Sequence, residues 1–305
     1  MVSSRCRRKS PPDTSCWAMT GLSWSSESDS RFHVMSEPSP RRAKRSLGQN
    51  FLVDPNLQRK IVAALGATPN DEVVEVGPGR GALTHHLIGT VGRLVLIELD
   101  NELAAHWTAE AADRDDVHVV HGDVLEQPVW DHVRDPSQAL VVGNIPFNIT
   151  TPIIFRLLER PRPREIVLMV QQEVSDRITA PVGSKAYGAL SVGVRSVATV
   201  ERLFAVGRGA FRPVPGVDSA VIRIKPLKPE PLGLTDEERL RTVVRAAFQW
   251  RRKQLGKILR DHPDLSVPAG ELGSLAATVG FELADRPERL SPEGFIRLAA
   301  ALPSF

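Results

Sequence analysis

The chain is poor in cysteine: only Cys6 and Cys16 occur in its 305 residues, and both fall in a stretch without hydrophobic period. A disulfide framework and a thiolate metal site are therefore excluded, which fits a reducing, cytoplasmic compartment. No window approaches ~18 consecutive apolar residues, so no membrane-spanning helix is expected. The eight histidines never gather at metal-ligand spacing. His85 and His86 are adjacent on a predicted helix, His118 and His121 flank a predicted strand, and all read as structural or surface residues, so no metal is expected. An apolar core for a secretory signal is also missing. Asp13, Glu27 and Asp29 speak against a transit peptide, although Arg and Ser are frequent around them.

What the chain does have is ample apolar content for one large or two moderate domains, and an uneven basic charge. The sequence pI is about 9.1. One basic cluster is Arg41, Arg42, Lys44 and Arg45. A second runs from Arg241 to Arg260 through Arg245, Arg251, Arg252, Lys253 and Lys257, with no acid among them. Single charge runs usually mark solvated helix faces. Two separate ones on a globular chain point to a phosphate backbone, with Arg41, Arg42, Lys44, Arg45, Arg251, Arg252 and Lys253 as the candidate contacts.

Residues 1–40 are rich in Ser, Arg and Pro and are expected to be a disordered extension, with Met35 offering a second start. From Leu57 onward short apolar strands alternate with helical stripes. Strands are predicted at Val73–Val76, Leu94–Ile97, Val117–Val120, Leu140–Val142 and Ile166–Val170, and helices at Ala82–Ile88, through Trp107, and at Ile153–Leu158. That alternation predicts an α/β fold, a Rossmann-like parallel sheet covered by helices on both faces, with ligands at the carboxyl ends of its strands. Val221–Ile224 reads as an antiparallel edge strand. Pro226–Pro231 reads as a linker between a catalytic domain, residues 41–228, and a small helical domain, residues 232–305.

Four consecutive strand ends carry polar or glycine elements. Glu75-Val76-Gly77-Pro78-Gly79-Arg80-Gly81 follows the first strand, and its glycines permit a tight turn and close approach of a ligand. A nicotinamide-dinucleotide loop is the obvious competitor, but Ala82 stands where its third glycine belongs. Glu98 ends the second strand, where an acid can accept hydrogen bonds from both ribose hydroxyls. Asp123 follows the third, where an acid can accept from an adenine amine. After the fourth comes Asn144-Ile145-Pro146-Phe147. The Asn side-chain oxygen and a backbone carbonyl beside Pro146 can both accept from one exocyclic NH2 group, while the aromatic ring stacks on the base that carries it. Pro146 fixes its own φ and removes a donor, which leaves the turn rigid and rich in acceptors. The set suits S-adenosylmethionine as methyl donor and a nucleobase amine as acceptor. Each member has a plainer reading: Glu98 and Asp123 as helix caps, Asn50 as the cap of the helix near Leu57, Phe211 as a core aromatic.

With these residues in view, the chain resembles the ribosomal RNA adenine N6,N6-dimethyltransferase family over roughly residues 41–300. The resemblance rests on Leu47-Gly48-Gln49-Asn50-Phe51-Leu52, the glycine loop, Ile97-Glu98-Leu99-Asp100, Gly122-Asp123, Gly143-Asn144-Ile145-Pro146-Phe147-Asn148 and the segment from Phe211 to Val221. It implies that Asn50, Leu52, Gly77, Gly79, Glu98, Asp123 and Asn144 line an S-adenosylmethionine site. It further implies that Asn144, Ile145, Pro146 and Phe147 form the catalytic turn, with Phe147 and Phe211 sandwiching a flipped adenine. Gln171–Val174, Ser184–Ser191, Gln249–Lys253 and, after the catalytic turn, Asn148–Pro152 resemble the small-subunit branch. Phe147 departs from the Tyr more usual in that branch, and Phe211–Pro215 leans toward the large-subunit enzymes of macrolide resistance. The small-subunit reading is favoured, with ribosomal RNA, free or in an assembling particle, as partner and a monomer as the working expectation. A non-catalytic RNA- or DNA-binding factor and a DNA adenine methylase are the rivals.

Overall fold

The computed structural model describes residues 48–302. The segment 1–40 and the basic residues Arg41, Arg42, Lys44 and Arg45 lie outside the described residues. Nine strands and ten α-helices follow in this order: β1 (Phe51–Leu52), α1 (Pro55–Leu65), β2 (Glu72–Val76), α2 (Thr84–Leu87), β3 (Arg93–Glu98), α3 (Asn101–Glu110), β4 (Val117–His121), β5 (Leu140–Asn144), α4 (Thr150–Leu157), β6 (Glu165–Gln171), α5 (Gln172–Ile178), α6 (Ala189–Arg195), β7 (Ala198–Val206), β8 (Phe211–Arg212), β9 (Ser219–Pro226), α7 (Leu234–Gln249), α8 (Leu255–Asp261), α9 (Leu272–Val279) and α10 (Pro292–Ala301).

The apolar runs of β2, β3, β5 and β6 are buried on both faces, as strands under helices on two sides must be. They form a seven-stranded sheet in the order β4-β3-β2-β5-β6-β9-β7. β4, β3, β2, β5 and β6 are parallel, and β9 and β7 add antiparallel pairs. The chain steps outward from β2 to β3 and β4, then returns to place β5 against the other side of β2. That reversal opens a crevice at the carboxyl ends of β2 and β5, where parallel sheets bind ligands.

Two expectations change here. The strand predicted at Val221–Ile224 is antiparallel but interior, because β7 pairs along its outer side. β7 escapes a pattern reading because its burial does not alternate cleanly, and a register shift interrupts it between Arg202 and Phe204. The helix predicted over Ala82–Ile88 shrinks to Thr84–Leu87, since the chain before it is turned by the glycine loop. Where a linker is expected over Pro226–Pro231, Pro226 still belongs to β9, and residues 227–233 lead to α7. Even so, the apolar cluster of α7 to α10 includes Ala180, Tyr187 and Val192 from the sheet-bearing part. All described residues fall in one compact unit. The joint is sealed by charge as well. The Arg162 guanidinium reaches Glu237 of α7 at 2.7 Å, with both side chains buried, and Arg160 binds Glu237 and Glu230 beside it.

Candidate active site

A cavity of about 540 Å3 opens at the crevice, a size suited to a small-molecule ligand. Its floor is the glycine loop, held by contacts that fix each peptide. Gly77 N–H donates to Ile97 O at 2.9 Å. Gly79 N–H donates to Glu98 Oε2 at 2.9 Å, while Gly79 O accepts from the indole N–H of buried Trp107 on α3 at 2.9 Å. Gly79 and Gly81 have φ of 55° and 86°, a left-handed backbone that only glycine adopts without strain. A Cβ on Gly81 would also lie 2.7 Å from Trp107 Cη2.

The walls carry acid. Glu98 is buried, and its Oε1 accepts from Asp100 N–H at 2.9 Å, so the expected ribose acceptor also clamps two loops. Each carboxylate oxygen retains a lone pair for a ligand. Burial raises the Glu98 carboxyl above its ordinary value, against the backbone N–H groups of Asp100 and Gly79. Asp123 lines the cavity and turns one oxygen, Oδ1, to Leu125 N–H at 2.9 Å. Glu75 was missed by sequence reasoning. It lines the same cavity, is 1% exposed, and its Oε2 has no hydrogen-bond partner. Burial, reinforced by the Glu98 charge, pushes its carboxyl up to about 8. The signal was there in Val73-Val74-Glu75-Val76, an acid inside an apolar strand that buries both faces.

Over the floor runs a strap, Gly48 to Leu52, which β8 pairs from the far side. Asn144 Nδ2–H donates to Asn50 O at 3.0 Å and Asn50 Nδ2–H to Gly48 O at 3.2 Å. Gln49 Nε2–H donates to Asp100 Oδ2 at 3.1 Å. Asn50 therefore belongs to the cavity. The cap of α1 is Asp54, whose Oδ1 accepts from Asn56 and Leu57 N–H. Because the Asn144 amide nitrogen is committed to the strap, its oxygen is the free end. Pro146 O is engaged by Ile149 N–H at 3.3 Å and the Thr150 hydroxyl at 3.2 Å, which leaves the Ile145 carbonyl as the acceptor beside Asn144. Half-buried Phe147 lines the cavity next to them.

Phe211 does not join it. Its side chain is fully buried in the apolar layer that contains Ile61, Met169 and Val221. Neighbours on a strand face opposite ways, so pairing Phe211 with buried Leu52 turns Phe211 inward and Arg212 outward. The expected two-ring sandwich is corrected to one ring, Phe147. Arg251 is also corrected. Its Nη2–H donates to Lys185 O at 2.9 Å and Ser184 O at 3.4 Å, and Nε stands 3.8 Å from Glu288 Oε2. It ties the turn after α7 to the loop before α6, whereas Arg252 and Lys253 are exposed.

A seven-stranded α/β sheet with this rim defines a Rossmann-like methyltransferase class, and comparison with known proteins narrows it. Residues 41–265 match the family model described as ribosomal RNA adenine dimethylase. A ribosomal RNA small subunit methyltransferase A of Geobacter metallireducens is 39% identical over 86% of this chain and 96% of its own length. One from Nitratidesulfovibrio vulgaris is 41% identical over 86% and 97%. The chain belongs to the ribosomal RNA adenine dimethylase family. Among solved structures, a dimethyladenosine transferase from Plasmodium falciparum shares the fold, with a TM-score of 0.70, 24% identity and coverage of 81% and 95%. The 23S rRNA methyltransferase ErmE superposes with a TM-score of 0.63 at 26% identity, covering 83% and 99%.

Proposed function

We propose that this chain transfers two methyl groups from S-adenosylmethionine to the N6 amine of adenine in small-subunit ribosomal RNA. The observation that carries the reading is the Asn144 amide, whose nitrogen is pinned to the strap so that its oxygen stays free beside the Ile145 carbonyl. Two fixed acceptors on one edge of a cavity match the two N–H bonds of a planar amine. They would turn its lone pair out of conjugation and stabilise the charge that develops on nitrogen. An amide takes no proton at neutral pH, so no side chain here is assigned as base, and water receives the proton. Phe147 would stack on the extruded base and offset part of the few kcal/mol lost on leaving the helix.

The donor set fits the cofactor. An orphaned buried carboxylate oxygen on Glu75 suits an ammonium group, Glu98 suits ribose hydroxyls, Asp123 suits an adenine amine, and the glycine loop admits close approach. Bound there, S-adenosylmethionine would supply an electrophilic methyl on a sulfonium. Leu52, Gly77 and Asn50 also line the cavity. Exposed Arg252 and Lys253 would meet phosphate, together with Arg41, Arg42, Lys44 and Arg45. Among the described residues no helix is long and apolar enough to cross a membrane. A cytoplasmic ribosomal particle is the setting we infer.

The small-subunit target follows from the relatives' names at 39–41% identity, against 26% for the large-subunit enzyme. Mapping dimethyladenosine on both ribosomal subunits, with and without this protein, tests it. Gain of the mark on adjacent small-subunit adenines supports the reading, and a mark confined to the large subunit transfers it to the other branch. RNA binding without any methylation would favour a non-catalytic factor.

A further inference from the structure

The acids of the cavity leave one part of the cofactor without a receptor. Glu75, Glu98 and Asp123 suit an ammonium, a ribose and an adenine amine. The methionine end of S-adenosylmethionine also carries a carboxylate. An anion entering a cavity lined by acids needs a cation or a set of N–H donors to offset repulsion and the loss of water. Among the described residues that line the cavity, Arg80 is the only lysine or arginine.

The backbone of the glycine loop offers little in place of that cation. Such loops hold anions through their N–H groups, and here those groups are spent. Gly77 N–H donates to Ile97 O, Gly81 N–H to Pro78 O and Gly79 N–H to Glu98 Oε2, each at 2.9 Å. Pro78 has no N–H to give. Between Gly77 and Gly81, Arg80 is therefore the residue that still has donors, set on a planar guanidinium.

That guanidinium lies over the Phe51 ring of the strap, with Cζ 4.3 Å from the centroid, and among the described residues no carboxylate pairs with it. Phe51 in turn rests on the loop, since a Cβ on Gly79 would lie 3.3 Å from Phe51 Cε1. A guanidinium held against a ring by its face keeps its edges, where the N–H bonds point, open to a carboxylate. The place is right as well. The ammonium and carboxylate of an amino acid share one carbon, so their receptors must be neighbours. Glu75 and Arg80 stand at the two ends of one short loop and line the same cavity.

We infer that Arg80 receives the carboxylate of S-adenosylmethionine, with Phe51 steadying the guanidinium from the strap. The inference rests on the cofactor reading above and assigns the carboxylate which that reading leaves without a partner. Arg80 then acts as a specificity residue, selecting a donor with an intact amino-acid end.

The test measures binding to the full chain by calorimetry, at one pH and without RNA, for two ligands. One is S-adenosylmethionine. The other is its decarboxylated form, which keeps the ammonium, the sulfonium and the nucleoside. Wild type is expected to bind S-adenosylmethionine about tenfold more tightly, as for a charge-assisted pair. Arg80→Met should lose about tenfold for S-adenosylmethionine and stay within about twofold for the decarboxylated form. Arg80→Lys, which keeps the charge without the planar fork, should fall between. Equal wild-type affinity for the two ligands would overturn the assignment, and that result needs no variant to fold. So would a loss in Arg80→Met that is the same for both ligands, which marks Arg80 as a brace for the strap. Unchanged cofactor binding in Arg80→Met, with weaker filter binding of small-subunit RNA and a flatter salt slope, would give the guanidinium to phosphate instead. A wild type that binds neither ligand removes the cofactor reading itself, and the part of Arg80 with it.

Discussion

The rim of the sheet and the helical part after Gly233 use their polar side chains in opposite ways. At the rim, Glu98 and Asn144 are fixed by the fold and still line the cavity, and Glu75 lines it with one carboxylate oxygen unpaired. In the helical part, Arg251 and its neighbours look like one basic stripe in the sequence, but the structure divides them between internal joints and open surface. Site residues and structural residues are thus told apart by what is left over once the fold has taken its contacts. Asn144 keeps its amide oxygen after its nitrogen binds Asn50 O, whereas Arg251 turns its guanidinium to Ser184 O, Lys185 O and Glu288.

The sharpest way to break the contrast is at Asn144. Asn144→Ala removes the free amide oxygen and releases the strap, and transfer should fall by at least 10²–10³, the cost of losing one fixed polar group at a reacting centre. RNA affinity should stay nearly unchanged in a filter-binding assay. Retained turnover would take Asn144 out of the mechanism.

The two phenylalanines separate cavity from core. Phe211→Ala should cost about 3–5 kcal/mol of stability, as for a fully buried aromatic, and be visible as a lowered denaturation midpoint. Phe147→Leu should leave that midpoint close to wild type and lower kcat/KM for RNA about tenfold through lost stacking. Equal stability losses at both positions would mean that Phe147 is core as well.

How much of this was legible follows from the same distinction. Strand ends are read directly from a chain in which apolar runs alternate with glycine, acid or amide, so Gly77, Glu98, Asp123 and Asn144 reach the cavity as expected. Glu75 and Phe211 were misjudged because burial is decided by what packs across the strand. Nothing local to Phe211-Arg212-Pro213 announces that it pairs with Phe51-Leu52, some 160 residues earlier. β7 and the internal tie of Arg251 were hidden for the same reason.

Glu75 gives a pH test of intermediate size. Its folded carboxyl is raised to about 8, so between the ordinary carboxylate range and pH 8 the folded state holds a proton that the unfolded chain has released. Its contribution to stability therefore falls as pH rises through that window. A cationic ligand beside Glu75 favours the ionised form, so binding should release a proton and tighten from pH 6 to 8. Calorimetry of S-adenosylmethionine binding in buffers of different ionisation heat would read that proton. Glu75→Gln should abolish the release, flatten the pH dependence and weaken binding about tenfold. A wild-type titration with no proton released would separate Glu75 from the ligand.

The smallest effects should come from dividing the basic stripe. Arg252→Glu places an acid where an exposed cation would meet phosphate, so RNA affinity should drop a few-fold at low salt and the slope of log affinity against log salt should flatten by about one contact. The denaturation midpoint should not move, because Arg252 is exposed. Arg251→Ala should do the reverse. It removes the donors held by Lys185 O and Ser184 O and frees the loop before α6, for a loss of about 1–2 kcal/mol of stability with the salt slope unchanged. Should Arg251→Ala flatten the salt slope while leaving stability intact, its guanidinium must exchange the loop carbonyls for RNA phosphate on binding. The line between joint and surface would then be a property of the free protein only.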